Sequence, residues 1–137
     1  MKTVAIRYHS RTGNTKKVAL AIAEELGLEA EDLSTPLVER VDILLLGSAV
    51  YAAGVDSAVK KFLEENREKV GIIYNFSTAA LLPSTYKQVK KHAKKLGISI
   101  ASEEFHCRGK FMNLRKDAPS ETDLQNARTF ARNIPLE

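Results

Sequence analysis

Residues 3–15 read TVAIRYHSRTGNT, and this stretch contains most of the information in the sequence. Its first half alternates, with Val4 and Ile6 apolar, and this pattern predicts a short β-strand. Its second half is a polar loop around Gly13, and residues 16–26 (KKVALAIAEEL) then repeat apolar residues at the spacing of one helix face. A strand therefore leads into a helix through a loop of hydroxyl residues and one glycine.

The loop 10–15 has the composition of an anion site. The first turn of a helix leaves about four N–H groups unpaired and carries partial positive charge, and a glycine lets a ligand approach the backbone. The hydroxyls of Ser10, Thr12 and Thr15 can donate to the same group, so the loop suits a phosphate. It lacks the Gly-Lys-Ser/Thr of a Walker loop and two glycines of the dinucleotide fingerprint. Taken in isolation, it fits simple helix capping equally well.

Composition indicates an ordinary globular protein. The chain has 137 residues with 44% apolar and 28% charged residues, which is the range of one folded domain, and we expect that domain to span residues 1–137. No apolar run approaches the roughly 20 residues that span a bilayer, and the N-terminus lacks the features of a signal peptide. The single cysteine, Cys107, excludes an internal disulfide and gives no support for a metal site. We expect a cytoplasmic protein.

The formal charge of +4 is concentrated in residues 87–95 and 108–116. Neither cluster has the interleaved aromatics or the reading motif expected of a nucleic-acid-binding protein. The first cluster predicts a helix with one basic face, formed by Lys87, Lys90, Lys91, Lys94 and Lys95. This face is interpreted as solvated, and a docking surface for an acidic partner is the alternative.

The rest of the chain alternates between strand and helix patterns. The first helix is predicted to end at Gly27. Further strands are predicted at 29–34, 42–47, 70–76 and 98–107. Further helices are predicted at 56–66 with Asp56 as the cap, between Pro83-Ser84 and Gly97, and from a capping box at Ser120-Asp123. The connection 35–41 is short for a parallel crossover, so we expect barely one helical turn there. Residues 47–54 (GSAVYAAG) are predicted to form a loop.

Five strands alternating with four helices predict an α/β protein, with a parallel sheet covered by helices on both faces. Ligands bind such sheets beyond the carboxyl ends of the strands. In this chain those ends are residues 9–15, 48–54, 77–82 and 107–111. They are rich in small, hydroxyl or glycine residues, and the opposite ends are not. This asymmetry favours a phosphate site over simple capping in the loop 10–15.

These segments resemble the flavodoxin family. SRTGNTKKVALAIAEEL (10–26) is similar to the phosphate-loop helix of flavodoxins, and GSAVYAAGVDSAVKKFL (47–63) to the loop that holds the flavin ring. FSTAA (76–80) and HCRGKF (106–111) resemble the later loops of short-chain flavodoxins, so the likeness covers nearly the whole chain in order. It implies a three-layer sandwich whose five-stranded parallel sheet has the order 2-1-3-4-5.

The resemblance also implies a noncovalently bound FMN. Tyr51 would stack on the isoalloxazine, and Gly54 would be a peptide that reorients when the flavin is reduced. An ordinary tyrosine and an ordinary turn glycine are the alternatives. The residues carried over are Ser10, Arg11, Thr12, Gly13, Asn14 and Thr15 for the phosphate, and Ser48, Ala49, Val50, Tyr51, Ala52, Ala53, Gly54, Ser77, Thr78, Ala79 and Ala80 for the ring.

Two features depart from the family pattern. The loop after the fourth strand, STAALLP (77–83), has no second aromatic, so Leu81, Leu82, Phe111 or a partner would cover the other flavin face. The chain is basic where flavodoxins are typically acidic, with Arg11, Lys16, Lys17, Arg108 and Lys110 in or beside the implied site. This charge predicts a raised flavin potential and acidic redox partners.

Three functions are compatible with these observations. The leading one is an electron carrier with no catalytic or metal-binding residues of its own, working as a monomer or weak dimer without nucleic acid or membrane. The second is an FMN-dependent NAD(P)H:quinone-type oxidoreductase, with the nicotinamide held by residues 108–118 or a dimer interface. The third is a flavin-free scaffold or phosphate-sensing domain of the same fold. His9 is interpreted as a turn residue, with contact to the phosphate as the alternative. His92 is interpreted as an inert residue among the lysines of the exposed helix, and Cys107 as a spectator thiol.

Overall fold

A computed structural model of the protein describes residues 1–51, 54–79, 84–108 and 118–137, apart from the side chains at positions 50, 51, 54 and 55. The strands are β1 (Val4–Tyr8), β2 (Ala30–Asp32), β3 (Val41–Tyr51), β4 (Gly54–Val55), β5 (Val70–Ala79), β6 (Ser99–Ile100) and β7 (Phe105–Arg108). The helices are α1 (Asn14–Leu26), α2 (Ser57–Asn66), α3 (Tyr86–Leu96) and α4 (Glu121–Arg132), with a 3-10 turn at Arg67–Lys69.

The sheet has the order β2-β1-β3-β5-β6, and all of these pairs are parallel. β7 pairs with β5 beyond β6, so β6 and β7 together occupy the fifth position. The order 2-1-3-4-5 is therefore confirmed. The register places Tyr8 opposite Gly47 and Gly47 opposite Phe76, so the carboxyl ends of the three central strands lie side by side.

Helices cover both faces of the sheet. On one face α1 and α4 pack beside each other, over a buried cluster that includes Ile6 and Phe76. On the other face α2 and α3 enclose a second cluster, which includes Leu44 and Ile73. Each fully buried aliphatic or aromatic side chain contributes about 1.5–3 kcal/mol relative to an exposed one, so these two layers fix the sheet that carries the strand ends. No helix in the described part of the chain is long and apolar enough to cross a membrane.

The helix ends follow local sequence signals. Gly27 and Gly97 end α1 and α3 in the left-handed conformation, at φ 67° and 75°. Asp56 accepts a hydrogen bond from the N–H of Ala58 and caps α2, as predicted. The predicted capping box of α4 is also present, because Ser120 and Asp123 each accept the other's backbone N–H. α3 begins at Tyr86, two residues later than Ser84.

The prediction of a loop at 47–54 is wrong for all of its described residues, which are 47–51 and 54. β3 continues through Ser48 to Tyr51 and pairs antiparallel with β4, and β5 likewise continues to Ala79. Glycine and alanine have weak strand propensity, and they occur here at Gly47, Ala49 and Ala79, but the two strands extend together, with Ser48 opposite Ser77. The predicted strand 98–107 is instead divided into β6 and β7, with no strand at residues 101–104.

No helical turn is present in the connection between β2 and β3, so that expectation is wrong. Side chains satisfy its backbone instead. The Arg7 Nε donates to the carbonyl of Thr35 at 2.8 Å, and the Asn66 Oδ1 accepts from the N–H of Leu37 at 3.2 Å. Lys69 donates to the carbonyl of Leu37 at 2.9 Å, and Leu37 is itself buried against α2 and β3. Burial of Arg7 lowers its pKa, and Glu31 opposes that shift.

The basic face of α3 is confirmed, because all five of its lysines are exposed while Val89 and Ala93 are buried. The placement of His92 is wrong. Its ring is half-buried between α3 and α2, with Nε2 3.3 Å from the carbonyl oxygen of Lys60 and 3.5 Å from a carboxylate oxygen of Glu64. His92 therefore belongs to the contact between the two helices.

Candidate functional site

The loop between β1 and α1 lies at the carboxyl edge of the sheet. The N–H of His9 donates to the carbonyl of Gly47 at 3.0 Å, which fixes the start of the loop against β3. Gly13 then adopts φ 90° and caps α1, and a Cβ built on it would meet no atom within 4 Å. The backbone at the N-terminus of α1 is therefore both in a glycine conformation and open to approach.

Two predicted phosphate-binding side chains also act within the loop. The Ser10 Oγ accepts from the N–H of Gly13 at 3.0 Å, and the Thr12 Oγ1 accepts from the Asn14 side chain at 3.1 Å. Both bonds hold the loop in its turn. In both of these bonds the hydroxyl oxygen is the acceptor. The O–H of Ser10 and the O–H of Thr12 can therefore still donate a hydrogen bond to an acceptor atom of a ligand.

Thr15 is placed differently from Ser10 and Thr12. Its side chain is fully buried, and its Oγ1 lies 2.9 Å from the Oγ1 of Thr78, where either atom can be the donor. This bond ties the first turn of α1 to the end of β5. The bond therefore joins Thr15, which the sequence predicts at the phosphate, to Thr78, which it predicts at the flavin ring.

The segments predicted to hold a flavin ring lie beside this loop. Ser48, Ala49, Ser77, Thr78 and Ala79 are all buried at the adjacent ends of β3 and β5. Tyr51 of β3 is the antiparallel partner of Gly54 of β4, and the predictions for the Val50 and Tyr51 side chains lie outside the described atoms. Ala52, Ala53, Ala80, Leu81, Leu82, Lys110 and Phe111 lie outside the described residues. The proposed stacking by Tyr51 and reorientation at Gly54 stay predictions.

A buried hydroxyl network underlies the ends of β3 and β5, and the sequence did not reveal it. The Oγ1 of Thr85, before α3, accepts from the Ser48 Oγ at 2.9 Å and from the Asn75 Nδ2 at 3.0 Å. All three residues are essentially inaccessible to solvent. The only sequence signal is a lone asparagine inside the apolar run VGIIYNF (70–76). The network links the two strand ends to the start of α3.

The same network leaves one polar atom unsatisfied. The Oδ1 of Asn75 is buried and has no hydrogen-bond partner among the described residues. A buried polar group without a partner costs about 1–3 kcal/mol. The Oδ1 of Asn75 can therefore accept a hydrogen bond from one more donor near the carboxyl edge of the sheet.

Asp56 joins the loop of β1 to the start of α2. Its Oδ1 accepts from the N–H of Ala58 at 2.9 Å, while Arg11 donates to Oδ2 and the His9 Nε2 lies 3.2 Å from the same oxygen. These contacts lower the pKa of Asp56 to about 2, and the backbone hydrogen bond from Ala58 makes the largest contribution. The sequence predicted Asp56 as a helix cap and missed the contact with Arg11.

Cys107 lies on β7, opposite Thr78 of β5. Burial raises the pKa of its thiol to about 12, with a further contribution from Asp123. A nucleophilic cysteine requires a lowered pKa, so these surroundings agree with the predicted spectator thiol. No group of three or more His, Cys, Asp or Glu residues is arranged to hold a metal ion in the described ranges.

Comparison with known proteins gives a consistent result. The family model described as the flavodoxin domain matches residues 5–115. An uncharacterized protein of Methanocaldococcus jannaschii is 28% identical over 148 residues, covering 98% of both chains. A flavodoxin from the domain Archaea superposes with a TM-score of 0.76 at 16% identity, covering 93% of this chain and 92% of its own. Flavodoxin 1 from Bacillus cereus has a TM-score of 0.67 at 17% identity, covering 96% and 99%. The two structural likenesses are likenesses of fold.

Proposed function

The chain belongs to the flavodoxin domain family, and we propose that it is a flavodoxin-type electron carrier that binds FMN noncovalently. The observation that carries the proposal is the open, left-handed Gly13 at the N-terminus of α1, on the same sheet edge as the ends of β3 and β5. An anion at that N-terminus would receive backbone N–H groups and the positive end of the helix dipole.

The residues present fit an FMN phosphate. The segment Ser10–Thr15 would hold it, mainly through backbone N–H groups, with the hydroxyls of Ser10 and Thr12 as additional donors. The absence of any atom near a Cβ built at Gly13 supports close approach of a ligand to this backbone. Lys16 and Lys17 are exposed in the first turn of α1 and add positive charge.

The ring would lie against the segments 48–54 and 77–80, with Tyr51 as the stacking aromatic. When bound, FMN supplies one- or two-electron redox chemistry. The protein's part is to hold and orient the ring, to exclude water from its buried edge and to set the surrounding charge. Ser48, Ser77 and Thr78 are buried and hydrogen-bonded to other residues, which supports a role for this region as a rigid base for the ring.

The positive charge of the chain would affect both the reduction potential of the flavin and the choice of redox partner. The basic groups near the anion loop would favour a reduced, anionic flavin and raise its reduction potential relative to acidic flavodoxins. The exposed lysines of α3 and the net charge of +4 favour acidic redox partners in the cytoplasm. Electron-transfer rates with such partners would fall as salt is added.

The absorption spectrum of the purified protein, with identification of any released chromophore, is the first test. A colourless protein that also ignores added FMN in an equilibrium titration would refute the proposal. Rapid bleaching of bound flavin by NADPH in the absence of a reductase would instead indicate the oxidoreductase.

Replacement of two loop threonines tests the phosphate assignment. Thr12→Val together with Thr15→Val is expected to weaken FMN much more than riboflavin, because riboflavin lacks the phosphate. Thr78→Val controls for loss of the buried bond to Thr15, and Thr129→Val, on the exposed side of α4, controls for the substitution itself. Equal weakening of both ligands would mean that the phosphate lies elsewhere.

A further inference from the structure

The contact between Arg11 and Asp56 joins an exposed side chain to a largely buried one. The Arg11 side chain is 60% exposed, whereas that of Asp56 is 11% exposed. Asp56 is fixed because its Oδ1 caps α2 through the N–H of Ala58 and its Oδ2 lies close to the His9 ring. Arg11 belongs to the segment Ser10–Thr15, so its long side chain begins inside the proposed anion site.

Departure of Arg11 would leave the carboxylate supported. The N–H of Ala58 and the His9 Nε2, 3.2 Å from Oδ2, would both remain beside it. Exposed ion pairs contribute little free energy because solvent screens them and the side chains lose freedom. A phosphate carries more negative charge than a carboxylate and accepts bidentate hydrogen bonds from a guanidinium. A phosphate in the loop is therefore a stronger partner for Arg11 than Asp56 is.

From this asymmetry we propose that Asp56 acts as an internal competitor of the ligand phosphate for Arg11. The guanidinium lies on Asp56 when the loop holds no anion and turns to the phosphate of a bound ligand. Asp56 thereby reduces the advantage of a phosphorylated flavin over an unphosphorylated one. The inference rests on the proposed function, since it takes residues 10–15 as the phosphate site.

Asp56→Asn is the decisive variant, because asparagine caps a helix about as well as aspartate but carries no charge. It is expected to bind FMN about two- to fivefold more tightly, within the range that the free energy of an exposed ion pair allows. Riboflavin affinity is expected to stay within about twofold, since no phosphate is present. Asp56→Ser, which also caps α2, serves as the second variant if Asp56→Asn does not fold.

Two further variants separate competition from a general change of charge. Arg11→Gln is expected to weaken FMN and to abolish the gain from Asp56→Asn in the double variant, because the gain requires the guanidinium. Asp42→Asn is the matched control. Asp42 also pairs with an arginine, Arg40 at 3.1 Å, but it lies at the amino end of β3, opposite the site. It is expected to leave both affinities unchanged.

The measurement is an equilibrium titration of each apoprotein with FMN, riboflavin and inorganic phosphate at fixed ionic strength. The Arg11 side-chain NMR resonances in the unaltered protein provide a second readout, and they should shift on addition of FMN but not of riboflavin. Weaker FMN binding by Asp56→Asn, equal gains for both flavins, or a gain that persists without Arg11 would overturn the inference while leaving the FMN proposal standing. Failure of the unaltered protein to bind FMN would overturn both.

Discussion

Replacement of Gly47 by alanine should disrupt the centre of the sheet edge. A Cβ at this position would lie 2.2, 2.3 and 3.0 Å from three ring atoms of Phe76. Ordinary carbon–carbon contacts are about 3.5–4.0 Å, so the overlap exceeds an ångström. Phe76 is fully buried in the cluster beneath α1 and α4, and its ring has no solvent-facing position to take. The strand must therefore move, or the ring must enter a poorer rotamer.

Overpacking of this kind typically costs about 1–3 kcal/mol and occasionally more, and the severity of this overlap places Gly47→Ala at about 3 kcal/mol. Gly47 immediately precedes Ser48, where the segment proposed to hold the ring begins. We therefore expect Gly47→Ala to lower both the free energy of unfolding and the affinity for FMN.

Urea denaturation of the apoprotein measures this cost, and a double-mutant cycle with Phe76→Leu tests its origin. A leucine lacks the ring atoms that overlap with the new methyl group, so the double variant should be more stable than the sum of the single effects by at least about 1 kcal/mol. Gly71→Ala is the control, because its Cβ would lie 2.4 Å from the backbone oxygen of Asp42, which Phe76→Leu cannot relieve.

Two outcomes would refute this reasoning. One is a free energy of unfolding for Gly47→Ala within about 0.5 kcal/mol of the unaltered protein, the range of ordinary surface substitutions. The other is a cost that Phe76→Leu leaves unchanged. Either result would mean that the ring of Phe76 does not occupy the space above Gly47.

Three further predictions concern titration and capping. Because the folded pKa of Asp56 is lowered from 3.8 to about 2, its contribution is complete above about pH 5 and is lost as pH falls towards 2. The stability difference between the unaltered protein and Asp56→Asn, measured by urea denaturation, should therefore shrink by about 1–2 kcal/mol over that interval after allowance for solvent screening. Cys107 should resist iodoacetamide at pH 7 in the folded protein and react after denaturation, because its pKa is about 12; rapid alkylation of the native protein would contradict this. Ser120→Ala should lower the free energy of unfolding by about 1 kcal/mol through loss of the α4 cap, and an unchanged urea midpoint would exclude that role.

Local signals in the sequence were sufficient for much of the fold. The caps at Asp56 and Ser120 and the helix ends at Gly27 and Gly97 depend on residues within one turn of the chain, and all four were predicted. The alternating strand and helix patterns also predicted a parallel sheet, whereas the strand order 2-1-3-4-5 came from the resemblance to flavodoxins. The anion loop could be recognised because its residues are contiguous.

The errors occurred where distant residues supply the hydrogen bonds. Residues 48 and 49 continue as a strand because β5 extends beside them, and residues 50 and 51 because they pair with β4; the sequence of 48–51 gives no sign of either partner. The connection before β3 needs no helical turn because Arg7 and Asn66 satisfy its backbone from other elements. The helix or strand propensity of a single residue gives no information about either the strand pairing or these side-chain hydrogen bonds.

The contacts that the sequence missed share one physical property, which bears on the proposed site. The Thr15–Thr78 bond, the Ser48–Thr85 bond and the Arg11–Asp56 pair join residues 63, 37 and 45 positions apart. Two of them connect the anion loop to the strand end or the helix that borders the proposed ring segments. A ligand with an anionic end and a flat ring depends on the distance between those two halves. The residues of the anion loop and of the proposed ring segments can therefore be identified from the sequence. The position of the loop relative to those segments is instead set by buried hydroxyls and one carboxylate.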